Sequence, residues 1–178
     1  SPAAGLVDEP IHVMVHNLAP GARIMLTSNL KDEKDALYRC ECFYVADARG
    51  IVDTATHPSV GGSFEGVHPQ GLLEHMTGVI PGRRLLKRDV TRPWLVTIEL
   101  GPVGQPATQS RTIERWHLAP GVTMREVSVG QVRGRIFEPP AEAGQVPAVI
   151  DIYGIIGGCV DSRAALLAGP ARLAALVD

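Results

Sequence analysis

The sequence predicts a mainly β protein in two parts, a β-sandwich followed by an incomplete α/β unit. Three observations predict it. Glycine (19) and proline (14) are frequent among the 178 residues while aromatics are 4%, which suits short strands joined by tight turns. Leu37–Val45 alternates with period two. Near the C-terminal end, Val146–Tyr153 is a nearly continuous apolar run that leads into a glycine-rich stretch and then a helix signal, the order of a strand–loop–helix unit.

In the first part, Ile11–Val15 alternates weakly and a turn at Ala19–Gly21 follows it. Ala22–Leu30 is the next strand, and the charged run Lys31–Asp35 reads as a solvated turn. In Leu37–Val45, the set Tyr38, Cys40, Cys42 and Tyr44 is the expected core face. Residues 46–93 are irregular, with a helical turn or two over Pro69–Met76. Trp94–Leu100 and Ser110–Leu118 complete the strands, and Arg111 and Arg115 suggest that the last of them is an edge.

The pattern changes at Ala119–Gly121, which divides the chain into residues 1–119 and 120–178. Val122–Val129 and Val132–Phe137 flank Gly130 and Gln131 and predict a hairpin. The run Val146–Tyr153 predicts a strand covered on both faces. Asp161 or Ser162 is the expected cap of a helix running to Ala168, with Gly169 and Pro170 as its stop.

Charged residues make up 20% and the net charge is −2, so no field of one sign points to nucleic acid or to an anionic membrane. No apolar run approaches the roughly 20 residues of a membrane-spanning helix. Three cysteines are an odd number and make no disulfide framework, which favours a reducing compartment. The N-terminal Ser1–Gly5 has neither the charged nor the apolar region of a secretory signal, and its lack of Met reads as a trimmed start. Leu176–Asp178 is not a peroxisomal tripeptide, so cytoplasm is the expected compartment.

Several stretches, in order, resemble the acyl-CoA thioesterase and bile acid-CoA:amino acid N-acyltransferase family. They are Leu6–Pro10, Gly61–Gly66 with Pro69–Leu73, Leu86–Val90, Leu118–Val122, Asp151–Gly158 and Ser162–Gly169. The resemblance implies an N-terminal immunoglobulin-like β-sandwich followed by an incomplete α/β-hydrolase unit. It implies acyl-CoA as substrate, with hydrolysis of the thioester or transfer of the acyl group to glycine or taurine, through a nucleophilic Ser or Cys, a His and an Asp. In the family these three lie beyond Asp178, and the peroxisome and mitochondrion are further compartments. Pro170–Asp178 departs from the family, where a glycine-containing turn leads into the next buried strand.

Within this family the glycine-rich stretch Gly154, Ile155, Ile156 and Gly157 reads as an oxyanion loop, because glycine lets backbone N–H groups converge on a developing negative charge. An ordinary strand-to-helix turn is the other reading. A nucleophile elbow needs Gly-x-Ser/Cys-x-Gly, and the 178 residues contain no match. No catalytic residue is therefore assigned, and the chain alone is expected to be inactive. The alternative is a non-catalytic interaction or regulatory module.

Other groups read as structural. Cys159 lies near the expected helix start, where a thiolate gains stabilisation, but no base is positioned beside it. Lys87 and Arg88 could attract CoA phosphates, yet Asp89 adjoins them and an ion pair is expected. His12, His16, His57, His68, His75 and His117 are scattered. With no Cys-x-x-Cys spacing, no metal site is expected, and no cofactor is implied. An open strand edge and uncovered apolar surface after Ala119 suggest a less stable second part and a homo-oligomer, or pairing with a relative.

Overall fold

The computed structural model describes residues 3–152 and 160–169, and the backbone of 173–177. The chain divides into two compact units, Ser1–Leu85 with Trp94–Arg115, and Leu86–Pro93 with Trp116–Asp178. Among the described residues no helix is long and apolar enough to cross a membrane.

In the first unit the chain runs through β1 (Ala4–Leu6), β2 (Met14–Val15), β3 (Arg23–Lys31), β4 (Leu37–Val45), β5 (Val52–Asp53), β6 (Ser59–Val60), β7 (Glu65–Gly66), α1 (Gly71–Glu74), β8 (Thr77–Gly78), β9 (Trp94–Pro102) and β10 (Gln109–Trp116). Six strands form one sheet in the order β1-β10-β9-β3-β4-β8, while β2 pairs with β5 and β6 with β7. The alternation of β4 sets which face is buried: Tyr38, Cys40, Cys42 and Tyr44 lie inside. Their partners across the β3–β4 register, Leu30, Ser28, Leu26 and Ile24, are buried with them, since directly opposed residues share a face. Val52, Phe64 and Leu72 close this core. The charged connection after β3 is a turn held by Asp32, whose carboxylate accepts from Lys34 N at 2.8 Å and Ala36 N at 2.9 Å.

Two expectations change here. The strand over Ile11–Val15 shrinks to Met14–Val15. Ile11 is buried, but its backbone is satisfied by a side chain: Ile11 N donates to Gln70 Oε1 and Gln70 Nε2 donates to Ile11 O, both at 2.9 Å. Arg115 does not mark a solvated edge. It is buried and donates to the carbonyl of Glu9, and β1 flanks β10 through the bond from Glu114 N to Ala3 O at 2.7 Å.

The second unit contains β11 (Thr123–Val129), β12 (Val132–Glu138), a 3-10 turn at Ala141–Ala143, β13 (Ala148–Ile152), α2 (Asp161–Ala168) and β14 (Leu173–Val177). Its sheet has the order β11-β12-β14-β13. β11 and β12 form a hairpin closing at Val129 and Val132. Gly130 has φ +61°, the conformation a type II′ turn requires of its first central residue. β13 and β14 are parallel, with α2 in the crossover between them, as a parallel pair needs. The segment after Pro170 thus supplies a strand, β14. Ala164, Ala165 and Ala168 pack with Phe137 and Val90.

Two further expectations are corrected. β13 is not covered on both faces: Ile150 and Ile152 are 68% and 70% exposed, and the strand ends the sheet order. Nor is α2 capped by Asp161 or Ser162. Val160 precedes the helix and no described side chain caps it, while the Asp161 carboxylate is engaged by Arg135.

Candidate functional site

The glycine-rich segment assigned from sequence, Gly154, Ile155, Ile156 and Gly157, lies outside the described residues, as does Cys159. The structure describes what stands on either side of it. β13 ends at Ile152 and α2 begins at Asp161, and two ion-pair systems hold these ends. Arg163 of α2 donates through Nε to Asp151 Oδ2 at 2.7 Å and through Nη2 to Asp151 Oδ1. Arg135 of β12 donates to Asp161 Oδ2 and, at 3.3 Å, to Glu126 Oε1 of β11. Burial pushes the Asp161 carboxyl above its ordinary pKa, with Arg135 pulling the other way. Its Oδ1 is buried with no hydrogen-bond partner among the described residues.

Elsewhere the sequence-selected residues serve the fold. Cys40 and Cys42 are free thiols buried under the first sheet, their sulfurs 3.5 Å apart. His12 Nε2 lies 2.7 Å from Asp53 Oδ1, and His57 Nδ1 accepts from Asp53 N at 2.7 Å, so both histidines tie the β5 turn. Burial raises the Asp53 carboxyl, but the Ala55 N–H and His12 outweigh it and hold the pKa low. His68 meets Phe64 edge-on and His75 meets it at a tilt, with centroids 5.2 and 4.8 Å apart. His117 is buried and His16 exposed.

His12 and His16 have the four-residue spacing of a helical metal pair, yet they lie on either side of β2 in extended chain. Among the described residues no group of three or more His, Cys, Asp or Glu could hold a metal ion. Lys87 is buried and does not present itself to a phosphate. Asp89 accepts from the Thr91 hydroxyl at 2.5 Å and its N–H at 3.0 Å, which with nearby Arg92 and Lys87 keeps its carboxyl below the ordinary value.

Sequence reasoning missed Gln70 as the partner of Ile11 and the place of the exposed Arg111 in the core-side row of β10. Counting alternate residues back from the buried Ile113 would have placed Arg111 on the core side of β10.

Residues 8–129 match the family model for the acyl-CoA thioester hydrolase/BAAT N-terminal region. Over 166 residues the chain is 45% identical to the mitochondrial acyl-coenzyme A thioesterase 2 of Mus musculus, covering 91% of this chain and 36% of that protein. It is 43% identical over 173 residues to acyl-coenzyme A thioesterase 3 of Mus musculus, covering 94% and 40%. With the bile acid-CoA:amino acid N-acyltransferase of the same species the identity is 42% over 176 residues, covering 94% and 42%. The chain therefore spans about two-fifths of the length of these relatives. A match over 8–129 of 178 residues, with such relatives on both sides of the hydrolase–transferase divide, places the chain in the acyl-CoA thioester hydrolase/BAAT N-terminal region family.

Proposed function

We propose that this chain is the N-terminal portion of an acyl-CoA thioester-processing protein of lipid metabolism and does not turn over by itself. Residues 1–119 form an immunoglobulin-like β-sandwich domain in this reading, and residues 120–178 open an α/β-hydrolase domain. The hairpin of β11 and β12 followed by the parallel β13–α2–β14 unit supports the second assignment. Gly154 to Gly157 then supply backbone N–H donors to the thioester oxyanion. In the complete reaction a nucleophile attacks the thioester carbonyl, the CoA thiolate leaves, and water or an amine takes the acyl group. Cytoplasm is the proposed compartment, with mitochondrion and peroxisome as the family's alternatives.

The observation that carries the inactivity is the absence of Gly-x-Ser/Cys-x-Gly from all 178 residues. Oxyanion donors stabilise charge that a nucleophile must first create. The purified chain is expected to release no CoA thiol from hexadecanoyl-CoA above a heat-denatured control. Saturable release by the folded chain would overturn the reading.

The exposed apolar residues of β13 favour a second role, self-association or pairing with a relative through that edge. Light scattering after size exclusion is expected to give a mass above 19.0 kDa, and an Ile150→Lys variant to shift it toward monomer. A monomer at every concentration, with no relative bound, would count against this role.

A further inference from the structure

The first unit carries a groove of about 700 Å³ on the core side of its six-stranded sheet, within the roughly 300–1,000 Å³ typical of small-molecule sites. Its floor is Leu26 of β3 with Ile98 and Leu100 of β9. The register explains its polar mouth. Ile113 stands opposite Val96, Arg111 opposite Ile98 and Gln109 opposite Leu100, and opposed residues share a face. Along β10 the core-side row therefore passes from the buried Ile113 to the exposed Arg111 and Gln109.

The two arginines on that side of β10 differ. Arg115 is engaged by the Glu9 carbonyl, with the Asp8 and Glu9 charges nearby. Arg111 makes no ion pair or side-chain hydrogen bond with a described residue. Among the described residues no Asp or Glu lines the groove, and His16 stands at the same mouth. An apolar floor, an unengaged guanidinium and no opposing carboxylate are complementary to an amphiphile with an anionic head.

We propose that this groove binds a medium-chain fatty carboxylate, its tail along Ile98 and Leu100 and its head on Arg111. A guanidinium matches a planar carboxylate through two parallel N–H···O bonds. A lone arginine beside the neutral Gln109 and Ser110 suits one negative charge rather than a cluster of phosphates. The site lies in the first unit and involves no covalent step, so it stands independently of the proposed thioester chemistry. An inward charge that only protects the sheet edge from pairing is the competing explanation of Arg111.

Calorimetric titration of the 178-residue chain tests it, with octanoate, decanoate and dodecanoate below their micelle concentrations. Dodecanol is the neutral-head comparison and hexadecanoyl-CoA the polyphosphate one. One-to-one saturable binding is expected, tightening by up to about 4-fold per added methylene until the groove is filled. Arg111→Gln is expected to weaken dodecanoate by about tenfold, the lower end for a charge-assisted hydrogen bond, and to leave dodecanol within twofold. Arg111 is exposed, so the variant should fold, and Arg111→Lys should keep part of the affinity. Absence of saturable carboxylate binding, equal affinity of Arg111→Gln for dodecanoate, or binding of hexadecanoyl-CoA alone would overturn the proposal.

Discussion

Asp151 and Arg163 form a two-bond ion pair across the sequence gap between β13 and α2: Arg163 Nε donates to Asp151 Oδ2 at 2.7 Å while Nη2 donates to Oδ1. The carboxylate is buried and the arginine side chain is 58% exposed. A buried acid therefore depends on a cation from the surface, and removing the cation costs more than the pair itself contributes. Arg163→Met keeps most of the apolar stem and removes the donors. It is expected to destabilise the second unit by about 1–3 kcal/mol. Amide exchange should accelerate at Ala148–Ile152 and not at Arg23–Lys31. Unchanged exchange in β13 would show that the pair does not hold this strand end.

Gln70 holds Ile11 as a neighbouring strand would, accepting from its N–H and donating to its C=O at 2.9 Å each. Gln70→Ala is expected to cost about 1–3 kcal/mol, because two largely buried backbone groups lose their partners. Gln70→Glu keeps the acceptor and loses the donor, placing a carboxylate against the Ile11 carbonyl. Repulsion raises the folded-state pKa of the new acid, so the loss is small at low pH and grows as pH rises through that value. Urea titrations of the two variants at pH 4 and pH 7 measure both effects. A Gln70→Glu variant as stable at pH 7 as at pH 4, relative to the parent, would contradict the donor role.

Gln70 also shows where the sequence was opaque. Strand patterning located β3, β4, β9 and β10 because each places buried residues on one face, whereas the β11–β12 hairpin was legible from the Gly130–Gln131 loop between its two runs, β11 itself being mostly exposed. Ile11 looked like part of a strand because it is apolar and buried, but burial does not say whether the backbone partner is a strand or a side chain 59 residues away. The helix after Val160 was legible and its start was not, since Asp161 can cap or form an ion pair and Arg135, 26 residues upstream, decides between them. Arg111 was read as an edge charge from its type, and its parity with Ile113 adds that this exposed residue stands in the core-side row. The glycine segment was legible by composition and family resemblance, and Asp151 and Arg163 are the described residues that frame it.

Asp47 gives the acid limb of stability a specific origin. Its Oδ1 accepts from Arg49 N and Ile51 N, both at 2.9 Å, and its Oδ2 lies 3.2 Å from Arg49 Nε. The Ile51 N–H, opposed by burial and joined by Arg49, holds this carboxyl below its ordinary 3.8. A carboxyl with a depressed folded-state pKa contributes stability that is fully present above the unfolded value and is lost as pH falls through the folded value. The first unit should therefore weaken below about pH 4. Asp47→Asn keeps the Oδ1 acceptor and removes the titration. It is expected to lower stability at pH 7 and to flatten the decline between pH 4 and pH 2. Equal acid slopes for parent and variant would remove Asp47 from the account.

Cys40 and Cys42 place two sulfurs 3.5 Å apart with no exposed surface on either residue. The hydrogen bond to Cys40, reinforced by burial, pushes the Cys42 thiol well above its ordinary pKa, so Cys42 remains protonated across the physiological range. Residues two apart on a strand sit about 6.8 Å apart at Cα, at the far limit for a disulfide, and their side chains run parallel rather than converging. Iodoacetamide at pH 8 is therefore expected to leave both cysteines unlabelled in the folded chain and to label both in urea, with peptide mapping separating them from Cys159. Mild oxidation should not cross-link them. Because attack requires the β4 core to open, the native labelling rate should slow in step with added stability. Prompt modification of Cys40 without denaturant would mean that β4 is not the closed interior strand its neighbours Leu26 and Tyr44 make it.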